Sequence, residues 1–306
     1  MPDALPLPSE DAVRGYFDAC SNWGRWGADD SAGTINLITP EKRREAAALV
    51  RSGRTVSLAF PLNTVGGPGN LSPAQHFMRW GESYAMDYIG MYYHGYATTH
   101  IDALCHIFWK GKMWNGKTAV EEMTSEGAKS ASVDAWASGI TTRGVLIDIP
   151  RFRGVPFVTI DSPVRGWEIE AAAEREGVEL RPGDAVVVYG GRAAFYAANP
   201  GSAFGMMPSP GLHADCMPVL KRHDSALLGW DLMDARPSGY DLFGPGGLPV
   251  HVLAIVYMGM PLLDNARLEP LATACAEGGR WEFLLTVNPL HVRGGTGSPV
   301  NPIAVL

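Results

Sequence analysis

Three of the chain's eight histidines fall in one short run, His94-Gly95-Tyr96-Ala97-Thr98-Thr99-His100-Ile101-Asp102-Ala103-Leu104-Cys105-His106. Imidazole and carboxylate together suit Zn2+ or Mn2+, whereas Ca2+ and Mg2+ prefer oxygen alone. His100 and Asp102 are two apart. On extended backbone that spacing puts both side chains on one face, with Cα atoms about 6.6 Å apart. His94 is harder to place. Six extended residues would carry it about 20 Å from His100. The segment must therefore curl, and Gly95 is the residue that permits it. His106, four after Asp102, needs a bend or a helical turn to return. The hydroxyls of Thr98 and Thr99 can orient ligand rings by hydrogen bonding. A lone His-x-Asp is usually ordinary packing; the two further histidines turn the balance toward a metal centre.

Such a centre needs a scaffold. The chain has 306 residues, 46% hydrophobic and 19% charged, enough to bury one large core. Residues 1–40, rich in Trp, Gly and Asp around Trp23 and Trp26, read as an arm packed on a domain spanning 41–306. Thr39 can cap a helix with Pro40 at its first position and Gly53 past its end. Strands are expected at 55–60, 144–149, 184–189, 226–229, 251–258 and 281–287, and helices from 162 or 163 to 175 and at 265–276. Residues 61–90 read as a long loop carrying Trp80, Tyr84 and Tyr88, and 190–212 as irregular. Apolar strands alternating with helices argue for a single α/β domain.

The formal charge of -7 disfavours nucleic acid, because no basic stripe neutralises phosphates. Cys20, Cys105, Cys216 and Cys275 form no CxxC pair and no disulfide framework. Met1-Pro2-Asp3-Ala4 opens no secretory signal, and no apolar run reaches the roughly 18 residues of a membrane span. The expectation is a cytoplasmic protein with reduced cysteines and no membrane partner.

The stretch from Thr99 to His106 resembles the signature of the metal-dependent cyclase family, His-x-Gly-Thr-His-x-Asp-x-Pro-x-His. That family includes kynurenine formamidases, isatin hydrolases and trans-dienelactone hydrolases. Thr98 stands for the pattern's Gly and Leu104 for its Pro. Pro210-Gly211-Leu212-His213, Leu227-Leu228-Gly229-Trp230-Asp231, and Trp281-Glu282-Phe283 with Gly294-Gly295-Thr296-Gly297-Ser298-Pro299 are similar to the family's longer members.

The resemblance implies a swivelling β/α/β domain with a mixed central sheet. It implies His100 and Asp102 as ligands and His106 as acid/base or ligand. The first ligand would fall at Tyr96, with His94 offering the imidazole if the loop holds two extra residues. His213 matches a distant further ligand. His251 and Asp264 are the nearest match to a second metal pair, so one ion is expected and two are conceivable.

The implied activity is hydrolysis by a metal-activated water: opening of a cyclic amide or lactone, or cleavage of an aryl formamide, with C–N cleavage favoured over C–O. His106 would carry the proton. Trp23, Trp26, Trp80, Tyr84, Tyr88 and Tyr96 are candidates for a flat pocket for a small planar or cyclic substrate, although packing explains most of them individually. A homodimer or homotetramer is expected.

Rival chemistries are weaker. Cys105 and His106 are adjacent and would face opposite ways on extended backbone, a poor nucleophile–base pair. Gly66-Gly67-Pro68-Gly69 lacks the Lys-Ser/Thr ending of a P-loop and reads as a turn. A non-catalytic structural metal site would normally be closed by four Cys/His ligands.

Overall fold

The computed structural model describes residues 6–202 and 205–306, so the Met1–Ala4 segment lies outside the described residues. Nine strands form one mixed sheet. From one edge they run Thr55–Ser57, Ile303–Val305, Glu282–Val287, Ile140–Asp148, Ala185–Tyr189, Leu227–Trp230, Leu262–Asp264, His100–Asp102 and Gly297–Pro299. Ile140–Asp148 through Leu262–Asp264 are mutually parallel. Every other pairing in the sheet is antiparallel.

Parallel strands are covered on both faces, so they read as continuous apolar runs rather than alternating ones. Val145 and Ile147 enter one layer, with Val186, Leu228 and Leu262. Leu146 enters the other, with Val187, Leu227 and Leu263. The first layer is closed by helices Glu10–Cys20, Gly166–Arg175 and Cys216–Arg222; the second holds Leu271 and Cys275 of helix Glu269–Gly278. Residues 6–40 are tied to this body: Asn22 donates to the Met258 carbonyl, and the Thr34 hydroxyl to Ala226. Thr39 caps helix Pro40–Ala48 by accepting from the Lys42 N–H, as expected.

Four expectations give way. The run 251–258 is helical, not a strand: Pro249–His251 leads into a wide π-type turn over Val252–Met258, ended by Gly259 at φ 65°. An eight-residue apolar run buried all round has no periodicity to separate helix from strand, and Pro249 supplied the start signal. Residues 61–90 are not all loop. Gln75–Trp80 and Ala85–Gly90 pair as a hairpin whose strand residues are nearly all exposed. Helix Arg192–Ala198 interrupts the segment read as irregular. The helix expected from Asn265 begins instead at Glu269, because Asn265 sits at φ 54° in the left-handed region. By contrast, Gly67 and Asn70 exchange backbone hydrogen bonds across the turn expected there.

Candidate metal centre

The site lies where open α/β sheets usually place one, beyond the carboxyl ends of the parallel strands. Asp264 ends one such strand, and antiparallel pairing sets it opposite His100, with Gly297 opposite Asp102 on the other side. Residues paired across strands share a face. His100, Asp102 and Asp264 therefore converge, as the two-residue spacing predicts for the first pair. The His100 Nδ1 donates to the Thr98 carbonyl at 2.8 Å, which turns Nε2 toward Asp102 Oδ1, 3.2 Å away.

The curl that His94 needs is present. Gly95 adopts φ 123°, a conformation few side-chain-bearing residues reach. His94 Nδ1 comes to 2.9 Å from Asp102 Oδ1, and its Nε2 to 2.9 Å from the Thr296 hydroxyl. His94, not Tyr96, is thus the residue that the loop brings beside Asp102. Gly297 makes room for it: a Cβ there would meet His94 Cε1 at 2.9 Å and the Ile101 carbonyl at 2.4 Å. His106 returns through a turn closed by its N–H on the Ala103 carbonyl. Its ring stacks on His94 at 3.6 Å between centroids, with Nε2 3.9 Å from Asp102 Oδ1.

Among the described residues two donor groups result, each with donor atoms within 4.8 Å of one another: His94, Asp102 and His106; and His100, Asp102 and Asp264. Asp102 belongs to both. His251 adjoins the second, with Nε2 3.3 Å from Asp264 Oδ2 and 4.0 Å from Asp102 Oδ2. Asp234 holds the other His251 nitrogen at 2.5 Å and also accepts the Val250 N–H. This is the carboxylate–histidine arrangement that orients metal-binding imidazoles. Trp230 Nε1 donates to Asp264 Oδ1 at 2.5 Å.

The donor set fits a divalent ion. Asp102 is 1% exposed, yet neither of its oxygens, nor His94 Nδ1, makes a hydrogen bond despite these short approaches. Buried polar atoms are ordinarily paired. Lone pairs that crowd one point without hydrogen-bond alignment are suited to sharing a cation. Burial opposes ionisation of Asp102, but His106, His100 and His94 outweigh it and hold the carboxyl well below its usual range. Burial, reinforced by neighbouring His94 and His251, pushes His106 down to about 4 against the opposing pull of Asp102. The His106 ring is therefore neutral at pH 7. The thiol of Cys105 is fully buried and pushed up to about 12, which removes the thiolate a cysteine hydrolase needs.

The cyclase family model matches residues 40–235, well over half of the chain. The chain belongs to the cyclase family. A solved structure described as a novel cyclase is 29% identical, with 95% of this chain and 99% of that one covered and a TM-score of 0.80. Isatin hydrolase A from Labrenzia aggregata, bound to benzyl benzoate, is 19% identical over 85% of this chain and 94% of its own, with a TM-score of 0.59. Isatin hydrolase A from Ralstonia solanacearum is 18% identical over 82% and 91%, at a TM-score of 0.57. At these last identities the likeness concerns the fold. Comparison with curated proteins gives no match. The family assignment and the mixed central sheet are as the signature implied.

Other expected site residues fall elsewhere. His213 is not brought to the cluster: Nε2 meets the Tyr240 hydroxyl at 2.7 Å and Nδ1 faces Asp215 at 3.0 Å, and neither donor group contains it. The six aromatic residues do not form one flat pocket. Trp23 stacks on Tyr257 and donates to the Val256 carbonyl, while Trp26 leans on Trp114. Trp80, Tyr84 and Tyr88 stand on the exposed hairpin at 74%, 56% and 56% exposure. Tyr96 lines a neighbouring cleft with Phe60 and Arg192.

An aromatic ring beside the cluster that escaped the sequence reading is Tyr93. It lies 4.6 Å from the His94 ring and lines a cleft of about 930 Å³ with Phe60, Met91 and Thr98. Asp234 and Asn265 were missed as well. Neither stands in a recognisable motif, and only the fold brings them to the site.

Proposed function

We propose that this chain is a metal-dependent hydrolase that opens a cyclic amide or lactone, or cleaves an aryl formamide, with C–N cleavage favoured. The observation that carries this reading is the convergence of His94, His100, His106, Asp264 and His251 on the unpartnered carboxylate of Asp102. His94, His100 and Asp102 would hold one Zn2+ or Mn2+, and His251 and Asp264 would complete a second position around the shared carboxylate. When bound, the ion supplies Lewis-acid chemistry: it makes water more acidic and polarises a carbonyl.

The chain's own groups do the rest. His106, neutral at pH 7 and about one-quarter exposed, can accept a proton at Nε2 and return it to the leaving group. Its place within the first donor group also allows ligation, so the role of proton carrier is part of the proposal. Asp102 stays ionised. Thr98 and Thr296 hold the rings of His100 and His94 in orientation. The largely apolar cleft beside Tyr93 suits a small planar or cyclic substrate.

A closed structural metal site would hide its ligands. Here His94 and His106 reach solvent at 24% and 25% exposure, which favours catalysis over a non-catalytic metal-binding module. Among the described residues, no helix is long and apolar enough to cross a membrane. We read the enzyme as cytoplasmic and as a homodimer or homotetramer. The hairpin supports assembly, since an isolated two-stranded ribbon is marginal in water and this one exposes Phe77, Trp80, Tyr84 and Tyr88.

The deciding experiment is metal analysis of the purified protein, followed by a pH-indicator screen over formyl-anilides, isatin-like lactams and unsaturated lactones. Acid release from an amide supports the C–N reading, and release only from lactones supports the trans-dienelactone-type alternative. No release with any of them, from metal-replete protein, defeats the hydrolase proposal.

A further inference from the structure

Asn265 follows the ligand Asp264, is fully buried, and adopts φ 54°. Its hydrogen bonds tie it to the loop between His94 and His100. Nδ2 donates to the Gly95 carbonyl at 2.7 Å and to the Thr98 carbonyl at 2.9 Å. Its own carbonyl accepts from the Thr99 hydroxyl at 2.7 Å. Its Oδ1 accepts from Arg192 Nη1 at 3.2 Å, and Arg192 Nη2 donates to the Tyr96 carbonyl at 3.1 Å. Three links from Asn265 and one from Arg192, itself bonded to Asn265, therefore grip residues 95–99.

That loop has an unusual task. It must bring two rings separated by six residues to 5.2 Å, edge to face. The Thr98 carbonyl is a shared node, because it also accepts from His100 Nδ1 at 2.8 Å and so sets that ring's orientation. Left-handed backbone at a non-glycine residue is sustained by surrounding contacts and is more readily adopted by Asn than by most residues.

We propose that Asn265 and Arg192 form a clamp that positions His94 and His100 for the metal, with Asn265 as its centre. The proposal rests on the reading of this cluster as a metal centre. Both act through the loop, so they are positioning residues. Outer partners of metal ligands typically matter 10- to 100-fold in affinity, and the clamp holds two ligands at once.

The test is titration of metal-stripped protein with Co2+, followed by visible absorption, which reports coordination geometry directly. Asn265→Gly keeps the left-handed backbone without steric cost and removes only the amide. It is expected to bind Co2+ about 10- to 100-fold more weakly, with displaced absorption bands and a cooperative melt. Arg192→Met, which leaves the Asn265 amide in place, is expected to shift affinity and bands in the same direction by less. Affinity and bands unchanged from wild type in both variants would overturn the clamp. Should Asn265→Gly fail to fold, Arg192→Met decides on the same readout. His100→Ala separates the two levels of the claim. If wild type binds Co2+ and His100→Ala does not, while the clamp variants match wild type, only the clamp falls. If wild type takes up no Co2+, the metal reading falls and the clamp with it.

Discussion

The two halves of the centre are built differently. His100, Asp102 and Asp264 stand on paired strands in the sheet, where His100 and Asp102 are 1% exposed and their directions follow from register. His94 and His106 stand on turns flanking the same strand and are about one-quarter exposed. The strand half is held by backbone pairing on both sides. The His94 turn is held by side chains, through Thr296, the stacking of one ring on the other and the Asn265–Arg192 links to its loop, while a single backbone bond to Ala103 closes the His106 turn. Precision thus comes from the sheet, and access for water and substrate comes from the turns.

This contrast can be broken in graded steps. Asp102→Asn should have the largest effect, because both donor groups share that carboxylate. Metal affinity should fall by more than the roughly 100-fold that loss of an outer partner costs; equilibrium dialysis with Zn2+ checks it. On the turn side, His106→Ala should retain metal but lower turnover by about 10²- to 10⁴-fold, the usual weight of a general acid–base group. Loss of metal in that variant would make His106 a ligand instead.

Asp234→Asn should weaken binding at the His251 side by about 10- to 100-fold, by releasing the imidazole it orients. If dialysis shows two ions in wild type, one should be lost first. Thr296→Val should have the smallest effect, about 10-fold or less in affinity, since the Asn265 links still hold the His94 loop. A Thr296→Val loss larger than that of Asp234→Asn would mean the turn half is the more fragile one.

The same contrast governs what could be read from the sequence. His-x-Asp on a strand is legible because a period of two is fixed by backbone geometry, and His100 and Asp102 fall together as that period requires. His94 was legible only as a candidate. Its return depends on Gly95 at positive φ and on partners some 200 residues away, Thr296 and Gly297. His251 was named from the resemblance, although the segment carrying it is helical and not a strand. Either conformation can deliver a side chain to the end of the Leu262–Asp264 strand. His213 was misplaced because its likeness rests on a short local motif, and its ring turns instead to Tyr240 and Asp215. The hairpin at 75–90 was legible in principle: two six-residue runs carrying Phe77, Trp80 and Tyr88 flank Gly81-Glu82-Ser83-Tyr84, a hairpin pattern masked by the Gly and Pro just before it.

We propose that His94, His100 and Asp102 hold a divalent ion. Metal content of the purified wild-type protein beside His100→Ala tests it most directly. Zn2+ or Mn2+ is expected bound in wild type, with little or none in the variant. Full occupancy in His100→Ala, or none in wild type after metal is supplied, would contradict it.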